Sequence, residues 1–375
     1  MILFVEEVVN YHITVFIAEV LKATNEEVLL AAGQLDNPRR KGMSFAALNE
    51  PWIFTINSDK EKFERHFYEA DVVVCRMSKY FHLMQKRLEH NKITFYASER
   101  WFKPPFGKFR LVHPRKAKLV FQLKKLSSFP LFYYLAQGHY AARDFNFLHI
   151  CTGRIFNFGY FSPSETSSIE HNSFFLPNKI HIFWCGHMVG LKRVDTLLKA
   201  FALILKQKKE AQLILVGEGE QKKKIIRLGA TLAISDHITI LNFQPLDKIK
   251  KIMWGSDIYV LPSSGHEGWG TVVNEAMTES CVVIGSNMAG SVRTMIEDGV
   301  NGFVFKPGNY RQLAEKLLYL IDNREILEKF KHYSREWIVH NWSPELAAER
   351  FLRIVEQIQQ GSPVTIYHEG LMKVL

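Results

Sequence analysis

Ile258-Tyr259-Val260-Leu261-Pro262-Ser263-Ser264-Gly265-His266-Glu267-Gly268-Trp269-Gly270-Thr271 decides how the second half of this chain is read. Ile258–Leu261 is a short apolar run of the kind that makes a buried strand, and Pro262 ends it. A Ser-Ser-Gly loop leads to Glu267, and a helix is predicted from near Thr271 through Glu275 and Met277. Gly268 and Gly270 let the backbone approach a ligand closely. A helix N-terminus behind a glycine-rich turn leaves unpaired amides facing the loop, an arrangement that suits phosphate. Glu267 reaches a ligand outside the strand ends. Glu275, about one turn inside the helix, suits a ribose diol. The plainer alternative is an ordinary strand–turn–helix with two solvated glutamates.

Working outward, the same alternation repeats. Strands are predicted at Ile180–Cys185, Gln212–Val216, Ile238–Leu241 and Val282–Gly285. Between them lie helical patterns, the clearest over Val194–Leu205, where Val194, Leu197, Leu198 and Phe201 form one apolar stripe. The first half alternates too, with strands at Ile2–Val5, Val28–Ala31, Trp52–Ile56, Asp71–Cys75, Ile93–Ala97 and Leu131–Leu135, and a helix over His12–Leu21. The polar stretch Ser162 to Asn178 reads as a linker. Strand–helix alternation of this kind implies mainly parallel sheets covered on both faces. The expected fold is α/β: a domain over 1–165, a second over 178–354, and a C-terminal helix, 355–375, packing back on the first. In such sheets ligands bind beyond the carboxyl ends of the strands, so the residues just after each strand are the candidates.

Two further segments of the second domain answer that description. Gly186-His187-Met188-Val189-Gly190-Leu191-Lys192-Arg193 follows strand Ile180–Cys185. Lys192 enters a helix start, where a cation opposes the dipole unless an anion is bound there; a surface lysine is the plainer reading. Val216-Gly217-Glu218-Gly219 carries two glycines of a dinucleotide fingerprint but has Lys222 where the third would be, so it reads as a tight turn beside the site.

Together these residues resemble the retaining glycosyltransferases of family 4, whose fold is called GT-B: two Rossmann-like doubly wound domains facing across a cleft. The family's two glutamates, separated by seven residues, match Glu267 and Glu275; its Gly-Arg-Leu…Lys segment matches Gly186 and Lys192; its Val-Gly-x-Gly turn matches Val216 to Gly219; its late Asp-Gly-x-Asn-Gly-Phe run matches Asp298 to Phe303. The resemblance covers roughly residues 180 to 355. It implies that Lys192 binds the donor diphosphate, that Glu275 holds the ribose, and that Glu267 holds the sugar near the reacting carbon. Gly268, Trp269, Gly270 and Thr271 would line that pocket, with Gly217 beside it. The family's diphosphate-binding arginine falls at His187, and Arg193 is the substitute considered. In the first half, Asn10-Tyr11-His12, Glu99-Arg100-Trp101 and Gly138-His139-Tyr140 sit where an acceptor pocket belongs. His12 joins Glu267 and Lys192 as a catalytic candidate, against a plainer structural role. Ser98 to Phe102 and Asn157 to Phe161 resemble bacterial polysaccharide-assembly members of the family.

Composition bounds these readings. With 375 residues, 47% apolar and 23% charged, the chain is an ordinary globular protein. No stretch approaches the roughly 18 apolar residues of a membrane span. Glu6 and Glu7 soon after the start argue against a secretory signal, and four scattered cysteines argue against a disulfide or zinc framework. A cytoplasmic place, with peripheral contact on the inner face of the cell membrane, is expected. The net charge is +10, and between Arg100 and Lys125 lie Lys103, Lys108, Arg110, Arg115, Lys116, Lys118 and Lys124, with no acid. Interleaved aromatic and aliphatic residues make this either a solvated basic face or a contact for anionic headgroups or a lipid-diphosphate acceptor; no motif accompanies it that would favour nucleic acid. No Asp-x-Asp occurs, so neither a bound metal nor a resident cofactor is expected, the UDP- or GDP-linked sugar being a co-substrate. The expected activity is retaining hexosyl transfer to a glycan or polyprenyl-diphosphate-linked glycan in cell-surface polysaccharide biosynthesis. A nucleotide-sugar epimerase of the same fold and a catalytically weakened sugar-nucleotide or nucleic-acid binder are the alternatives.

Overall fold

Strands buried on both faces must find parallel neighbours on each side and helices above and below, and both halves of this chain do so. The computed structural model describes residues 1–35, 50–165, 175–207 and 210–375. It divides into two units, Met1–Phe161 with Asn341–Leu375, and Ser162–His340. The predicted linker, 162–178, lies partly outside the described residues.

In the first unit the strands are β1 (Ile2–Val8), β2 (Val28–Gln34), β3 (Ile53–Thr55), β4 (Val72–Cys75), β5 (Ile93–Ser98), β6 (Phe132–Gln137) and β7 (Ile155–Phe158). They form one parallel sheet in the order β3-β2-β1-β4-β5-β6-β7. Helices α1 (Tyr11–Ala23), α2 (Lys60–Glu69), α3 (Phe81–Glu89), α4 (Pro114–Ser127) and α5 (His139–Leu148) cover it. In the second unit, β8 (Ile180–Cys185), β9 (Ala211–Val216), β10 (Ile238–Leu241), β11 (Ile258–Leu261), β12 (Val282–Ser286) and β13 (Gly302–Phe305) pair in parallel as β10-β9-β8-β11-β12-β13. Its helices are α6 (Val194–Gln207), α7 (Lys222–Thr231), α8 (Leu246–Trp254), α9 (Val272–Thr278), α10 (Gly290–Met295) and α11 (Tyr310–Asp322); α12 (Arg324–Trp342) and α13 (Pro344–Gln359) come after them. The predicted stripe of α6, Val194, Leu197, Leu198 and Phe201, is buried as a block.

Each sheet winds outward in both directions from a central pair, β1 and β4 in the first unit, β8 and β11 in the second. The connections diverge above those pairs and leave a crevice at the carboxyl ends. Two strands escaped the sequence reading. β7 is four residues long and interrupted by Asn157, and β13 is four residues long and starts on a glycine, so neither shows an apolar run of more than three residues.

The return to the first unit starts earlier than residue 355 and takes a different form. α13, capped by Ser343 accepting from the Leu346 amide at 3.2 Å, belongs wholly to the first unit. Its Phe351 closes an aromatic cluster, with ring centroids 6.0 Å from Phe4, 5.8 Å from Phe16 and 5.6 Å from Phe95. The helix ends at Gln359, and the tail beyond it pairs with β7 rather than continuing as helix. Asn157 donates to the Lys373 carbonyl and accepts from the Met372 amide, both at 2.8 Å, and Phe156 bridges Val374 in antiparallel fashion.

A fully buried phenylalanine cut to alanine loses transfer free energy and leaves a cavity, about 3–5 kcal/mol. Phe351→Ala is therefore expected to lower the unfolding midpoint of the first unit in a calorimetric scan. A variant melting like the parent would show that α13 is not part of that core.

Candidate functional site

The crevice of the second unit is built from three post-strand turns, two of which require glycine. Gly186 after β8 has φ +149° and Gly217 after β9 has φ +148°. A β-carbon on Gly217 would stand 1.9 Å from the Gly186 carbonyl oxygen, so only glycine lets these turns touch. Hydrogen bonds knit them: Gly186 N–H to the Val216 carbonyl at 3.0 Å and Met188 N–H to the Glu218 carbonyl at 2.7 Å. The chain then makes a short 3-10 turn, Gly190–Lys192, and Arg193 takes the left-handed conformation.

The turn after β11 docks on this one through Ser264, whose amide donates to the Leu191 carbonyl at 2.8 Å. Across that join the Lys192 ammonium lies 2.7 Å from Glu267 Oε2, both side chains largely shielded from solvent. Gly270 sits at φ +89°. Trp269 is buried, its indole N–H donating to Asn274 at 2.8 Å. α9 begins at Val272 and is seven residues long, and Thr271 at its N-cap makes no side-chain capping bond. Glu275, in its first turn, is buried.

Lys192, Glu267, Gly268, Trp269, Gly270, Thr271 and Glu275 thus gather with Gly186, His187 and Gly217 at the carboxyl edge around β8 and β11. Arg193 faces elsewhere: its guanidinium clamps Asp195 at 3.0 and 3.2 Å, and that pairing outweighs burial to hold the Asp195 carboxyl below its usual range. The His187 ring meets Phe243 edge-on at 4.9 Å.

Three contributors were missed. Tyr259, in the middle of β11, is fully buried, and its hydroxyl has no hydrogen-bond partner. Burial first, then the charges of Cys185, Glu267 and Glu275, push that phenol far above its usual range. A strand interior gives no hint of this. Ser291 Oγ donates to the carbonyls of Trp269 at 2.7 Å and Gly270 at 3.1 Å, and a β-carbon at Gly290 would stand 2.8 Å from the Gly268 oxygen. Both lie just beyond β12, and the post-strand rule applied to that strand finds them.

In the first unit a second polar cluster occupies the corresponding crevice. Glu6 at the end of β1 meets Arg76, just past β4, at 3.0 Å. Arg76 also donates to Gln137 at 2.9 Å and to the Tyr160 hydroxyl at 2.5 Å, and Tyr160 donates to Glu99 at 3.3 Å. Burial pushes the Glu6 carboxyl up to about 7, opposed by Arg76. His12 lies in this unit, buried at the start of α1, with Nδ1 donating to the Phe161 carbonyl at 2.9 Å. That bond leaves the lone pair of the neutral ring on Nε2. The predicted Glu99-Arg100-Trp101 and Gly138-His139-Tyr140 turns come together, Arg100 lying 4.2 Å over the Tyr140 ring. Asp144 fixes the first of them by accepting from the Trp101 and Phe102 amides at 2.7 and 2.9 Å. Glu99, Tyr160 and His12 belong to segments that the sequence singles out, whereas Arg76 and Gln137 do not. Arg76, one residue past an apolar run, carried the same post-strand signal.

Residues 168–337 match the family model described as glycosyl transferases group 1. Over 176 residues the chain is 31% identical to an uncharacterized glycosyltransferase of Haemophilus influenzae, covering 44% of this chain and 48% of that protein. It is 26% identical to a poly(ribitol-phosphate) alpha-N-acetylglucosaminyltransferase of Staphylococcus aureus, covering 45% and 34%. The chain therefore matches half or less of the length of these relatives. Among solved structures, Anabaena HepE in complex with UDP superposes with a TM-score of 0.73 at 15% identity over 96% of this chain and 99% of that one. A sucrose-phosphate synthase of Thermosynechococcus elongatus gives 0.69 at 15% identity, over 96% and 100%. The fold is GT-B, and the match to the group 1 glycosyltransferase model falls almost wholly within the second unit.

Two outcomes check this geometry. Gly217→Ala is expected to destabilise the second unit by roughly 1–3 kcal/mol or more, whereas Gly190→Ala, in the facing turn after β8 with nothing within 4 Å of its β-carbon, melts as the parent does. Equal midpoints for both variants would contradict the backbone contact. The second concerns pH. Folded Glu6 keeps its proton to about 7, against 4.5 for an ordinary glutamate, so between those values the folded state binds more protons. Stability contributed by Glu6 is therefore lost as pH rises from 4.5 through about 7. Glu6→Gln should flatten that fall in a melting series, and an unchanged slope would show that another group titrates.

Proposed function

We propose that this chain transfers a glycosyl group from a nucleotide sugar to a hydroxyl of a glycan or lipid-linked glycan, with retention of anomeric configuration, in the building of a cell-surface polysaccharide. The observation that carries the reading is the Lys192–Glu267 contact of 2.7 Å in the crevice of the unit that matches the group 1 family model. One cation and one carboxylate meet where the sheet presents its ligand site, beside the glycine turns of Gly186 and Gly217 and the buried Glu275.

In this reading Lys192 neutralises the charge that grows on the diphosphate as the glycosyl bond breaks. Glu275 accepts from the ribose hydroxyls, and Glu267 orients the sugar. Gly268, Trp269, Gly270 and Thr271 shape the pocket wall, with Ser291 bracing it from behind. The protein's own positive charge does the work that a divalent ion does in other transferases, so turnover continues in EDTA. Crystallised HepE holds UDP, which favours UDP-sugars as the first donors to try. On the acceptor side, Glu99, Arg76, Gln137 and Tyr160 offer the mixed donors and acceptors that a sugar hydroxyl needs, and His12 supplies a ring nitrogen near them.

Thermal shift with UDP-, GDP- and ADP-sugars, with and without EDTA, tests the donor site. One nucleotide sugar is expected to raise the midpoint of the second unit. Lys192→Ala and Glu275→Ala should each weaken it at least about tenfold, the value of one charge-assisted hydrogen bond. Retention is read from the anomeric coupling in the NMR spectrum of the product. No shift with any sugar nucleotide would sink the donor assignment, and interconversion of the sugar without an acceptor would favour an epimerase.

A further inference from the structure

The first unit carries an exposed surface that the transfer chemistry does not use. Residues 100–125 hold nine lysines and arginines and no aspartate or glutamate. Among the described residues, five large apolar side chains are more than 60% exposed, and four of them lie here: Val112 at 82%, Phe109 at 81%, Phe121 at 71% and Phe106 at 64%. Exposed phenylalanines are individually unremarked on protein surfaces, but a cluster ringed by one sign of charge marks a contact.

Local geometry aligns them. Gly107–Val112 is a 3-10 turn. With three residues per turn, side chains three apart eclipse one another, so Phe109 and Val112 lie on one side of the turn, and Phe106 immediately precedes it. The next helix, α4, buries Val120, Leu123 and Leu126 against the unit. Its opposite face presents Lys118, Phe121, Lys124 and Lys125, all exposed, with Phe121 at the centre of the lysines. The turn and the helix pack against each other. Lys108 lies 3.3 Å over the ring of Phe147, itself 45% exposed, which extends the same mixture onto α5.

We propose that this surface docks the protein on a bilayer containing anionic phospholipid, with Phe106, Phe109, Val112 and Phe121 entering the headgroup–acyl boundary and the lysines and arginines meeting the phosphates. Interfacial binding of this kind adds buried apolar area to the attraction between basic side chains and anionic lipid. Val112 argues against nucleic acid, because single-stranded sites stack bases on aromatic rings and have no use for an exposed aliphatic side chain. No helix among the described residues is long and apolar enough to cross a membrane, so the contact is a surface one. The segment leaves the carboxyl end of β5 directly after Glu99, so docking holds the polar crevice of this unit close to the lipid surface. The inference rests on the surface alone and survives any revision of the donor site.

Vesicle flotation of the full chain tests it, using phosphatidylcholine vesicles with and without phosphatidylglycerol. The protein is expected to float with the anionic vesicles and to stay behind with the zwitterionic ones. Phe109→Ser with Phe121→Ser, and separately Lys118→Glu with Lys124→Glu, should each lower partitioning more than about tenfold. Both pairs are exposed, so their melting curves and sugar-nucleotide shifts should match the parent's, which separates loss of docking from loss of folding. The proposal is overturned if the parent ignores anionic vesicles, if both pairs float as it does, or if an oligonucleotide displaces bound vesicles and binds more tightly than they do. A failed flotation beside an intact sugar-nucleotide shift would remove the docking surface and leave the transferase reading standing.

Discussion

No side chain fits between the turn that leaves β8 and the turn that leaves β9. At 1.9 Å from the Gly186 oxygen, the missing β-carbon of Gly217 measures how closely two backbones have been brought together. That contact seats the 3-10 turn of Gly190–Lys192, and the Leu191 carbonyl then receives the Ser264 amide from the turn after β11. Once those turns are joined, Lys192 and Glu267 meet, although 75 residues separate them in the chain. Ser291 holds the far side of the Glu267 loop through the Trp269 and Gly270 carbonyls, and the Gly290 amide does so through the Gly268 carbonyl. Backbone geometry, rather than the charges themselves, brings the charged groups together.

The first unit reaches a similar arrangement by other means. Its sheet also reverses winding between two neighbouring strands, and an acid and a base again meet across the reversal, Glu6 from β1 and Arg76 from beyond β4. Here the join is made by a side chain. Arg76 organises the crevice instead, spreading its donors over Glu6, Gln137 and Tyr160. A guanidinium in a fixed fork does this where an ammonium could not. The consequence differs as well. Burial drives the Glu6 carboxyl up to about 7 in spite of Arg76, so this crevice changes charge near neutrality.

How much of this was legible depends on where the information lies. Strand–helix alternation is local, and it placed both sheets and the stripe of α6. Glu267, Lys192 and Glu275 were legible because the loops that carry them begin where apolar runs stop. Tyr259 was not, since a tyrosine inside a strand reads as core whether or not two glutamates bear on it. Phe351 looked like one more apolar residue of a terminal helix; its role depends on Phe4, Phe16 and Phe95, which are near it only after folding. The final helices, Trp337 to Gln360, were legible as the segment that crosses back, but the pairing of the tail with β7 was not, because it runs through backbone groups, which carry no residue-type signal. Exposure was equally hidden. The basic segment was visible as charge, but only the structure shows that Phe109 and Val112 face outward.

The departure at His187 gains a physical meaning from these contacts. In the family that the chain resembles, an arginine at that position would add a second fixed cation for a diphosphate. Here the ring is turned edge-on to Phe243, and neighbouring Arg193 spends both arms of its fork on Asp195. On the proposed reading the diphosphate therefore relies on Lys192, whose ammonium lies against Glu267. A donor that draws Lys192 toward its phosphates also releases the Glu267 carboxylate to the sugar hydroxyls. Phosphate and sugar recognition are then one event, because the same salt bridge must open for both. On that reading a free nucleoside diphosphate opens the bridge without offering the transferred sugar's hydroxyls to the carboxylate, so the exchange favours the intact donor over the product that must leave.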